Sequence, residues 1–195
     1  MAMSYPPQDY IEQNTEKLFD LIEQHPLATL FCQYDNDIHS CHMPLSLCRD
    51  SNTLLGHANP TNPLKHFVGK QIHCVFHGPD TYLSPAQVKG IKLPTWDYAT
   101  VHIQATLKVV EEFTNQVQLL EHMLLAFEDK SQPWQLSAVP QKQLVAMCKN
   151  LFFFELNILQ MNGQFKLSQN KPIETRCEIA SLLHPFAPKM SAYYL

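Results

Sequence analysis

Four short segments of this 195-residue chain concentrate polar and aromatic side chains of the kinds that bind small molecules. They are residues 57–60 with Lys65, residues 78–85, residues 94–98 and residues 166–170. Each is predicted to lie at the end of a β-strand, and the strand ends of a small barrel meet at its mouth, where ligands commonly bind. The segments therefore predict a ligand site built from lysine, hydroxyl, amide and aromatic side chains.

Glycine is scarce, and this excludes the common phosphate-binding loops. The five glycines are Gly56, Gly69, Gly78, Gly90 and Gly163. They fit neither G-x-G-x-x-G nor G-x-x-x-x-G-K-S/T, so Rossmann-type and P-loop cradles are ruled out. A phosphate-bearing ligand would have to be held by side chains or by the start of a helix.

The charge pattern disfavours nucleic acid as a primary ligand. Fourteen Lys and Arg against eighteen Asp and Glu give a net charge of -4, whereas nucleic-acid binders gain affinity by neutralising phosphates. Residues 1–37 carry seven acids and one lysine, or -6, while residues 65–92 carry four lysines and one acid, or +3. The middle of the chain is therefore the region best suited to an anion.

Six cysteines are present without a C-x-x-C pair, and no signal peptide or membrane-length apolar stretch is visible. We therefore expect a cytoplasmic protein with reduced thiols and no membrane association. The sequence lacks the paired short spacings of zinc ligands and hydrolase motifs such as G-x-S-x-G and H-E-x-x-H. We assign neither a metal site nor a catalytic residue.

Hydrophobic periodicity and turn residues predict the elements of the first half of the chain. A helix is capped by Asn14 or Thr15 and stopped by Pro26. Strands are predicted at about 28–34, 37–47, 53–57, 71–77 and 96–110. A tight turn at residues 35–37 joins the first two strands, and a short helix carries Lys65.

The second half combines helices with one predicted hairpin. A helix is expected at about 115–128, and another begins near Pro140. The core-facing residues of the first of these are predicted to be Val117, Leu120, Leu124 and Phe127. The alternating residues 152–158 lead into Asn162-Gly163, a strong signal for a type I′ hairpin. Pro172 is expected to open a last helix.

The longest strand, near 96–110, has one apolar face and one polar face that carries histidine and tyrosine. A face of this kind meets solvent, a ligand or a partner chain. About six antiparallel strands with helices between them indicate an α+β protein built on a small barrel. We expect residues 1–171 to form this domain and residues 172–195 to form a C-terminal helix and tail packed on it.

Four motifs resemble, in order and spacing, those of the PaiB-type family. They are Gly56-His57-Ala58-Asn59-Pro60, the run from Gly78-Pro79 to Tyr82-Leu83-Ser84-Pro85, Pro94-Thr95-Trp96-Asp97-Tyr98 followed by Val101-His102, and Gly163-Gln164-Phe165-Lys166-Leu167-Ser168-Gln169-Asn170. The resemblance covers about residues 12–171. It implies an FMN-binding, flavin-reductase-like split β-barrel that dimerises, places flavin at the subunit interface and acts as a transcriptional regulator.

The resemblance also implies which side chains bind the cofactor. They are His57, Asn59, Lys65, Tyr82, Ser84, Thr95, Trp96, Tyr98, His102, Lys166 and Gln169. FMN carries a phosphate dianion, for which Lys65 and a helix start after Pro60 or Pro63 are the predicted receptors. Tyr82, Trp96 and Tyr98 are predicted to form a wall against the flavin ring.

The same residues have purely structural explanations. A lone lysine is usually solvated, Trp96 and Tyr98 could be barrel-edge aromatics, and His102 could be a hydrogen-bonded structural histidine. Three functions stay open: a homodimeric FMN-binding regulator or flavin sensor, an FMN-dependent oxidoreductase that acts on a small acceptor, and a barrel without cofactor that serves in protein assembly. DNA is a partner that the resemblance implies and the charge supports only weakly.

Overall fold

The computed structural model describes residues 6–34, 37–185 and 187–194, within which the chain forms eight β-strands and five α-helices. The strands are β1 (Ile11–Glu12), β2 (Leu27–Tyr34), β3 (Asp37–Pro44), β4 (Ser46–Cys48), β5 (Thr53–Ala58), β6 (Gln71–Leu83), β7 (Thr95–Val109) and β8 (Phe152–Lys166). The α-helices are α1 (Thr15–Gln24), α2 (Phe113–Phe127), α3 (Gln141–Lys149), α4 (Ile173–Leu183) and α5 (Pro188–Ser191). Short 3-10 helices lie at Gln8–Tyr10, Pro63–Phe67, Leu136–Ala138 and Ala192–Tyr194. Asp35 and Asn36 of the predicted turn lie outside the described residues.

The described strands form one sheet in the order β3-β2-β6-β7-β8-β5-β4, with β1 paired to β8. Every register that the structure defines is antiparallel; for example, Leu30 lies opposite Cys41 on β3 and opposite Cys74 on β6. About six strands were predicted; the difference arises because β1 has only two residues and the buried Leu45 separates β4 from β3. The antiparallel sheet and its flanking helices confirm the predicted α+β class.

Helix α1 begins and ends where the sequence predicts. Oδ1 of Asn14 accepts hydrogen bonds from the backbone N–H of Glu16 at 3.0 Å and of Lys17 at 3.3 Å, as an N-cap residue does. The buried residues of the helix include Leu18, Phe19, Leu21 and Ile22. A local cap and a 3.6-residue apolar stripe therefore define this helix without help from distant contacts.

Two strands are longer than predicted. β6 continues through Gly78, and β8 continues through Asn162 and Gly163. A type I′ hairpin requires positive φ at both central residues, and neither Asn162 nor Gly163 adopts positive φ. The hairpin prediction is therefore wrong, and residues 152–166 form a single strand.

The glycines in these strands permit close packing of helix α1. A Cβ atom on Gly163 would lie 2.4 Å from Cδ2 of Leu18. A Cβ atom on Gly78 would lie 2.8 Å from Cδ1 of Leu21 and 2.9 Å from the backbone oxygen of Ala99. Glycine within a strand commonly marks such a close approach, and this is its role at both positions.

The chain divides into two compact units, each with its own core. Unit 1 comprises residues 1–21, 77–101 and 162–195, and unit 2 comprises residues 22–76 and 102–161. The fully buried side chains of unit 1 include Leu21, Leu83 and Tyr194. Those of unit 2 include Leu30, Leu54, Phe76, Ile103 and Phe154.

Helix α2 packs with part of the predicted face, because Val117 and Leu120 lie against a buried cluster whereas Phe127 does not. Its buried cluster in unit 2 consists of Leu119, Met123, Leu144, Cys148 and Phe153. Phe127, predicted to face the core, is 41% exposed, and Leu125 is 80% exposed. Apolar residues cover more than one face of this helix, so its periodicity alone does not define the buried face.

The C-terminal helices belong to unit 1. Helix α4 follows Pro172 as predicted, whereas α5 and the 3-10 helix Ala192–Tyr194 were not predicted. Both of these short elements bury a side chain, that of Met190 in α5 and that of Tyr194 in the 3-10 helix. Across the described ranges, no helix combines the length and apolar character needed to cross a membrane.

Replacement of Gly163 with alanine is expected to lower the free energy of unfolding by about 1–3 kcal/mol, because the new methyl group overlaps Leu18. Urea unfolding followed by circular dichroism measures this change. Gln104→Ala, at an exposed position of β7, is the control and should stay within about 0.5 kcal/mol of the wild type. Equal midpoints for the two variants would show that α1 does not pack this closely on β8.

Candidate functional site

The predicted cofactor residues divide between the two units. Those in unit 1 are Tyr82, Ser84, Thr95, Trp96, Tyr98, Lys166 and Gln169. Those in unit 2 are His57, Asn59, Lys65 and His102. The first set lies on or just after β6, β7 and β8, and the second on β5, on the segment that follows it and on β7.

An exposed aromatic pair stands on β6 and β7 in unit 1. The ring centroids of Tyr82 and Trp96 are 5.9 Å apart, with an angle of 50° between the ring planes. The two residues are 52% and 51% exposed. The indole Nε1–H of Trp96 donates to Oδ1 of Asp80 at 3.1 Å, which holds the ring in place. Since aromatic rings usually bury much of their surface, this pair offers apolar area to another ring.

The ammonium group of Lys166 is held within unit 1. It donates to Oγ1 of Thr95, to the backbone oxygen of Trp96 and to Oδ1 of Asp97, the last at 3.2 Å. An ammonium group has three N–H donors, so all three are used. Lys166 therefore fixes the beginning of β7 and retains no proton for a ligand in this arrangement.

Asp97, which was not among the predicted residues, lies at the centre of these contacts. It is fully buried, and Oδ2 accepts hydrogen bonds from the hydroxyl of Ser168 at 2.7 Å and of Tyr194 at 2.9 Å. A buried charge is costly unless it is paired and hydrogen-bonded, and here both oxygens have partners. The sequence indicated that Asp97 is buried. Asp97 and the core residue Val101 are four positions apart on one strand, so their side chains point to the same face.

Tyr194 brings the C-terminal segment into this network. Its side chain is fully buried, and its backbone oxygen accepts a hydrogen bond from Nη2 of Arg176 at 2.8 Å. Burial, together with the charge of Asp97, raises the pKa of the Tyr194 hydroxyl well above its ordinary value. The hydroxyl therefore stays protonated and acts as a donor.

The other predicted residues of unit 1 make local contacts. The hydroxyl of Tyr98 accepts a hydrogen bond from Nε2 of Gln164 at 2.6 Å. Oγ of Ser84 accepts from the backbone N–H two residues later at 3.2 Å. The amide of Gln169 binds backbone groups at the end of β8 and just after it. The structure thus brings Tyr82 to Trp96 and Lys166 to Thr95, while Ser84 and Gln169 stabilise their own loops.

In unit 2, the backbone N–H groups of Thr61, Asn62, Leu64 and Lys65 are hydrogen-bonded within the turn that follows β5. Oδ1 of Asn59 accepts hydrogen bonds from the backbone N–H of Thr61 at 2.9 Å and from its hydroxyl at 2.8 Å. Oδ1 of Asn62 accepts from the N–H two residues later at 3.0 Å, and the N–H groups of Asn62 and Lys65 bond to carbonyls within the turn. These N–H groups are hydrogen-bonded within the chain, and the role of this helix start as a phosphate receptor stays a prediction. The turn also offers the exposed side chain of Lys65.

His57 has a ring nitrogen without a partner. Its Nδ1 is buried and has no hydrogen-bond partner in the described part of the chain, and its ring centroid lies 5.7 Å from that of Phe153. Burial lowers the pKa of the imidazole. An unsatisfied buried polar atom costs about 1–3 kcal/mol, so a ligand that bonded to Nδ1 would recover this energy.

His102 pairs with a histidine that sequence reasoning missed. Its Nδ1 lies 3.2 Å from Nε2 of His73, and the His73 ring also contacts Phe31, with ring centroids 6.4 Å apart. Burial lowers the pKa of His73. One ring must donate and the other accept, so the bond is made while at least one imidazole is neutral.

Three thiols lie close together in the sheet of unit 2. Cys41 and Cys74 flank Leu30 on neighbouring strands, and Cys32 lies two residues further along β2. Burial raises the pKa of the Cys32 thiol to about 12 and raises those of the other two thiols. They are therefore protonated at neutral pH. In the ranges that the structure describes, no group of three or more His, Cys, Asp or Glu side chains is placed to hold a metal ion.

Comparison with known proteins places the fold in the class of flavin-binding split β-barrels. The family described as "Putative FMN-binding domain" matches residues 4–160, which is most of the chain. The protein belongs to this FMN-binding domain family. The family match confirms the predicted resemblance and the predicted cofactor, FMN.

Individual relatives are distant. Protease synthase and sporulation protein PAI 2 of Bacillus subtilis is 23% identical over 173 residues, covering 86% of this chain and 83% of that protein. The FAD and heme binding protein from Mycobacterium smegmatis has a TM-score of 0.60 at 14% identity, covering 80% of this chain and 73% of that one. The flavocytochrome Anf3 from Azotobacter vinelandii has a TM-score of 0.61 at 12% identity, covering 80% and 69%. The solved structures confirm the predicted flavin-reductase-like split β-barrel.

Replacement of Asp97 with asparagine is expected to lower the free energy of unfolding by about 3 kcal/mol, because Lys166 loses its counter-charge where it is mostly buried. Urea unfolding at pH 7 measures the loss. Glu155→Gln is the matched control, since it breaks the more exposed pair with Lys108 and should cost about 0–1 kcal/mol. Similar losses in both variants would mean that the buried pair has no special role.

The lowered pKa of His57 predicts a pH-dependent stability. Below about pH 6.5 the unfolded chain binds a proton at this histidine that the folded chain resists, so stability falls as the pH decreases towards 5. In His57→Gln this decrease should be shallower, as measured by chemical denaturation at pH 7 and pH 5. His39→Gln, at an exposed position of β3, should keep the wild-type dependence. A wild-type dependence in His57→Gln would contradict the assignment.

Proposed function

We propose that this protein binds FMN as a homodimer and acts as a flavin sensor or transcriptional regulator. Its membership of an FMN-binding domain family supports the cofactor. The Bacillus subtilis relative is named protease synthase and sporulation protein PAI 2, and the reference to sporulation in this name supports a regulatory role. The observation that carries the proposal is the exposed pair of Tyr82 and Trp96, because it leaves apolar ring surface available on strands of a flavin-binding fold.

The residues of unit 1 fit the ring system of FMN. A flat tricyclic ring needs an apolar wall with a few polar groups, and Tyr82 with Trp96 supplies both ring area and a phenolic hydroxyl. Asp80 holds the indole through Nε1, so the wall is preorganised. The ring of FMN, when bound, supplies electron-transfer chemistry, while this chain supplies binding and orientation.

Lys166 and Thr95 act in this proposal by positioning. The ammonium of Lys166 bonds to the side chain of Thr95 and to the backbone oxygen of Trp96. These bonds hold the first residues of β7, and with them the indole, in one place. Lys166 and Thr95 were predicted to contact flavin directly. In this proposal they instead orient Trp96, which makes the contact.

Unit 2 carries a cationic side chain of the kind that binds a phosphate group. Lys65 is exposed, and its side chain has no ion pair in the described part of the chain. A charge-assisted hydrogen bond from this ammonium to a phosphate contributes about 1.5–3 kcal/mol. The unpartnered Nδ1 of His57, which lies two residues before Asn59, is a second polar atom that a ligand could use.

The apolar face of β2 and β3 supports the homodimer. Leu27 and Phe31 share one face of β2, and Ile38 lies opposite Gln33 on that same face. These three apolar residues are 61%, 36% and 72% exposed. A second copy of the chain would bury them.

A regulator with a net charge of -4 is expected to bind DNA weakly and in a salt-dependent manner.

Titration of the purified protein with FMN, followed by flavin absorbance, is expected to show binding. Lys65→Ala should raise the dissociation constant at least tenfold, a loss of about 1.4 kcal/mol, because the phosphate loses a cationic partner. Lys142→Ala, which removes an exposed lysine of α3 in the same unit, is the matched control and should bind as the wild type does. Sedimentation analysis of the same samples measures the oligomeric state.

The outcomes separate the candidate functions. A wild-type protein that binds no FMN would overturn the proposal, and a monomer would overturn its dimeric form. An unchanged dissociation constant for FMN in Lys65→Ala would show that Lys65 does not bind the phosphate of FMN. Oxidation of NADH or NADPH that depends on bound FMN would favour the oxidoreductase over the sensor.

A further inference from the structure

Unit 1 contains a small cavity of about 210 Å³ beside the buried carboxylate of Asp97. Its lining includes Tyr10, Lys92, Asp97, Lys166, Asn170 and Lys171. This volume exceeds the roughly 30 Å³ that one water molecule occupies, but it falls below the roughly 300 Å³ at which pockets for drug-sized ligands begin. The cavity therefore suits a small chemical group and is too small for a flavin ring.

The charges around this cavity do not balance. Three lysines line it, and Asp97 is the one acid among the lining residues. Lys166 forms the ion pair with Asp97 at 3.2 Å, so that positive charge is neutralised. Lys92 and Lys171 have no ion pair in the described part of the chain, so the cavity keeps a formal charge of about +2.

Two uncompensated ammonium groups on one small cavity repel each other, and an anion between them removes that repulsion. Neutral donors are also present. The hydroxyl of Thr95 accepts from Lys166 and keeps its own proton to donate, and Tyr10 and Asn170 are also lining residues, with a phenol and an amide in their side chains. The site can thus offer both charge and directed hydrogen bonds to an oxyanion.

The wall of the cavity is preorganised. Asp97 does not act as a free anion there, because Lys166 pairs with its Oδ1 and the hydroxyls of Ser168 and Tyr194 donate to its Oδ2. Lys166 is equally fixed by its three acceptors. Binding of an anion would therefore order only Lys92 and Lys171, which lowers its entropic cost.

We propose that this cavity is an oxyanion site that binds a phosphate group, supplied either by FMN or by a separate small phosphate compound. The proposal rests on the charges and size of the cavity and not on flavin binding, so each of the two can fail without the other. Lys92 and Lys171 are its principal ligands.

The test is isothermal titration calorimetry of the whole 195-residue chain with inorganic phosphate, at an ionic strength held constant with chloride. The wild type is expected to bind phosphate, and the double variant Lys92→Gln/Lys171→Gln is expected to bind at least tenfold more weakly. Lys89→Gln/Lys189→Gln is the matched control, because it removes the same charge from two exposed lysines of unit 1 outside the cavity lining. Absence of phosphate binding by the wild type, or equal weakening in both double variants, would overturn the proposal.

Competition identifies the source of the phosphate group. If phosphate competes with FMN but not with riboflavin, which lacks the phosphate, and Lys92→Gln/Lys171→Gln abolishes this competition whereas Lys65→Ala does not, the occupant is the cofactor's own phosphate and Lys65 does not bind it. If FMN binds equally well with and without phosphate, the occupant is a separate compound. Displacement of riboflavin by phosphate would overturn the proposal, because the cavity is too small for the ring.

Discussion

The buried carboxylate of Asp97 determines how unit 1 can be built. Its charge is tolerated in the core only because Lys166, Ser168 and Tyr194 all contact it. Successive residues of a strand point to opposite faces, so an inward Asp97 places Trp96 on the outer face, where half of its surface is exposed. The aromatic surface assigned here to the cofactor therefore depends on an ion pair on the other side of the strand.

The sequence predicted the elements whose signals are local. Helix α1 has its cap and its apolar stripe within twelve residues, and β7 alternates cleanly along its whole length. The failures occurred where a distant contact overrides a local signal. Asn162-Gly163 reads as a turn, yet Gly163 is required because Leu18, far away in the sequence, packs against its backbone.

The site was predictable to the extent that its residues lie in short motifs at strand ends. One predicted motif contains Thr95 and Trp96, and another contains Lys166. In the structure, hydrogen bonds from the ammonium group of Lys166 connect the two motifs. The contact between Asp97 and Tyr194 spans 97 positions and involves a segment without a recognisable motif. No periodicity connects such residues, so this part of the site required the three-dimensional structure. The unsatisfied nitrogen of His57 is likewise a property of burial.

The chain order of unit 1 has a consequence for synthesis in the cell. Its parts come from residues 1–21, 77–101 and 162–195, so its first strand and helix are made long before their partners. Domains generally fold as units, and Asp97 receives its last hydrogen bond only after Tyr194 has left the ribosomal exit tunnel. Until then the core of unit 1 is incomplete, and water takes the place of Tyr194 at the carboxylate of Asp97.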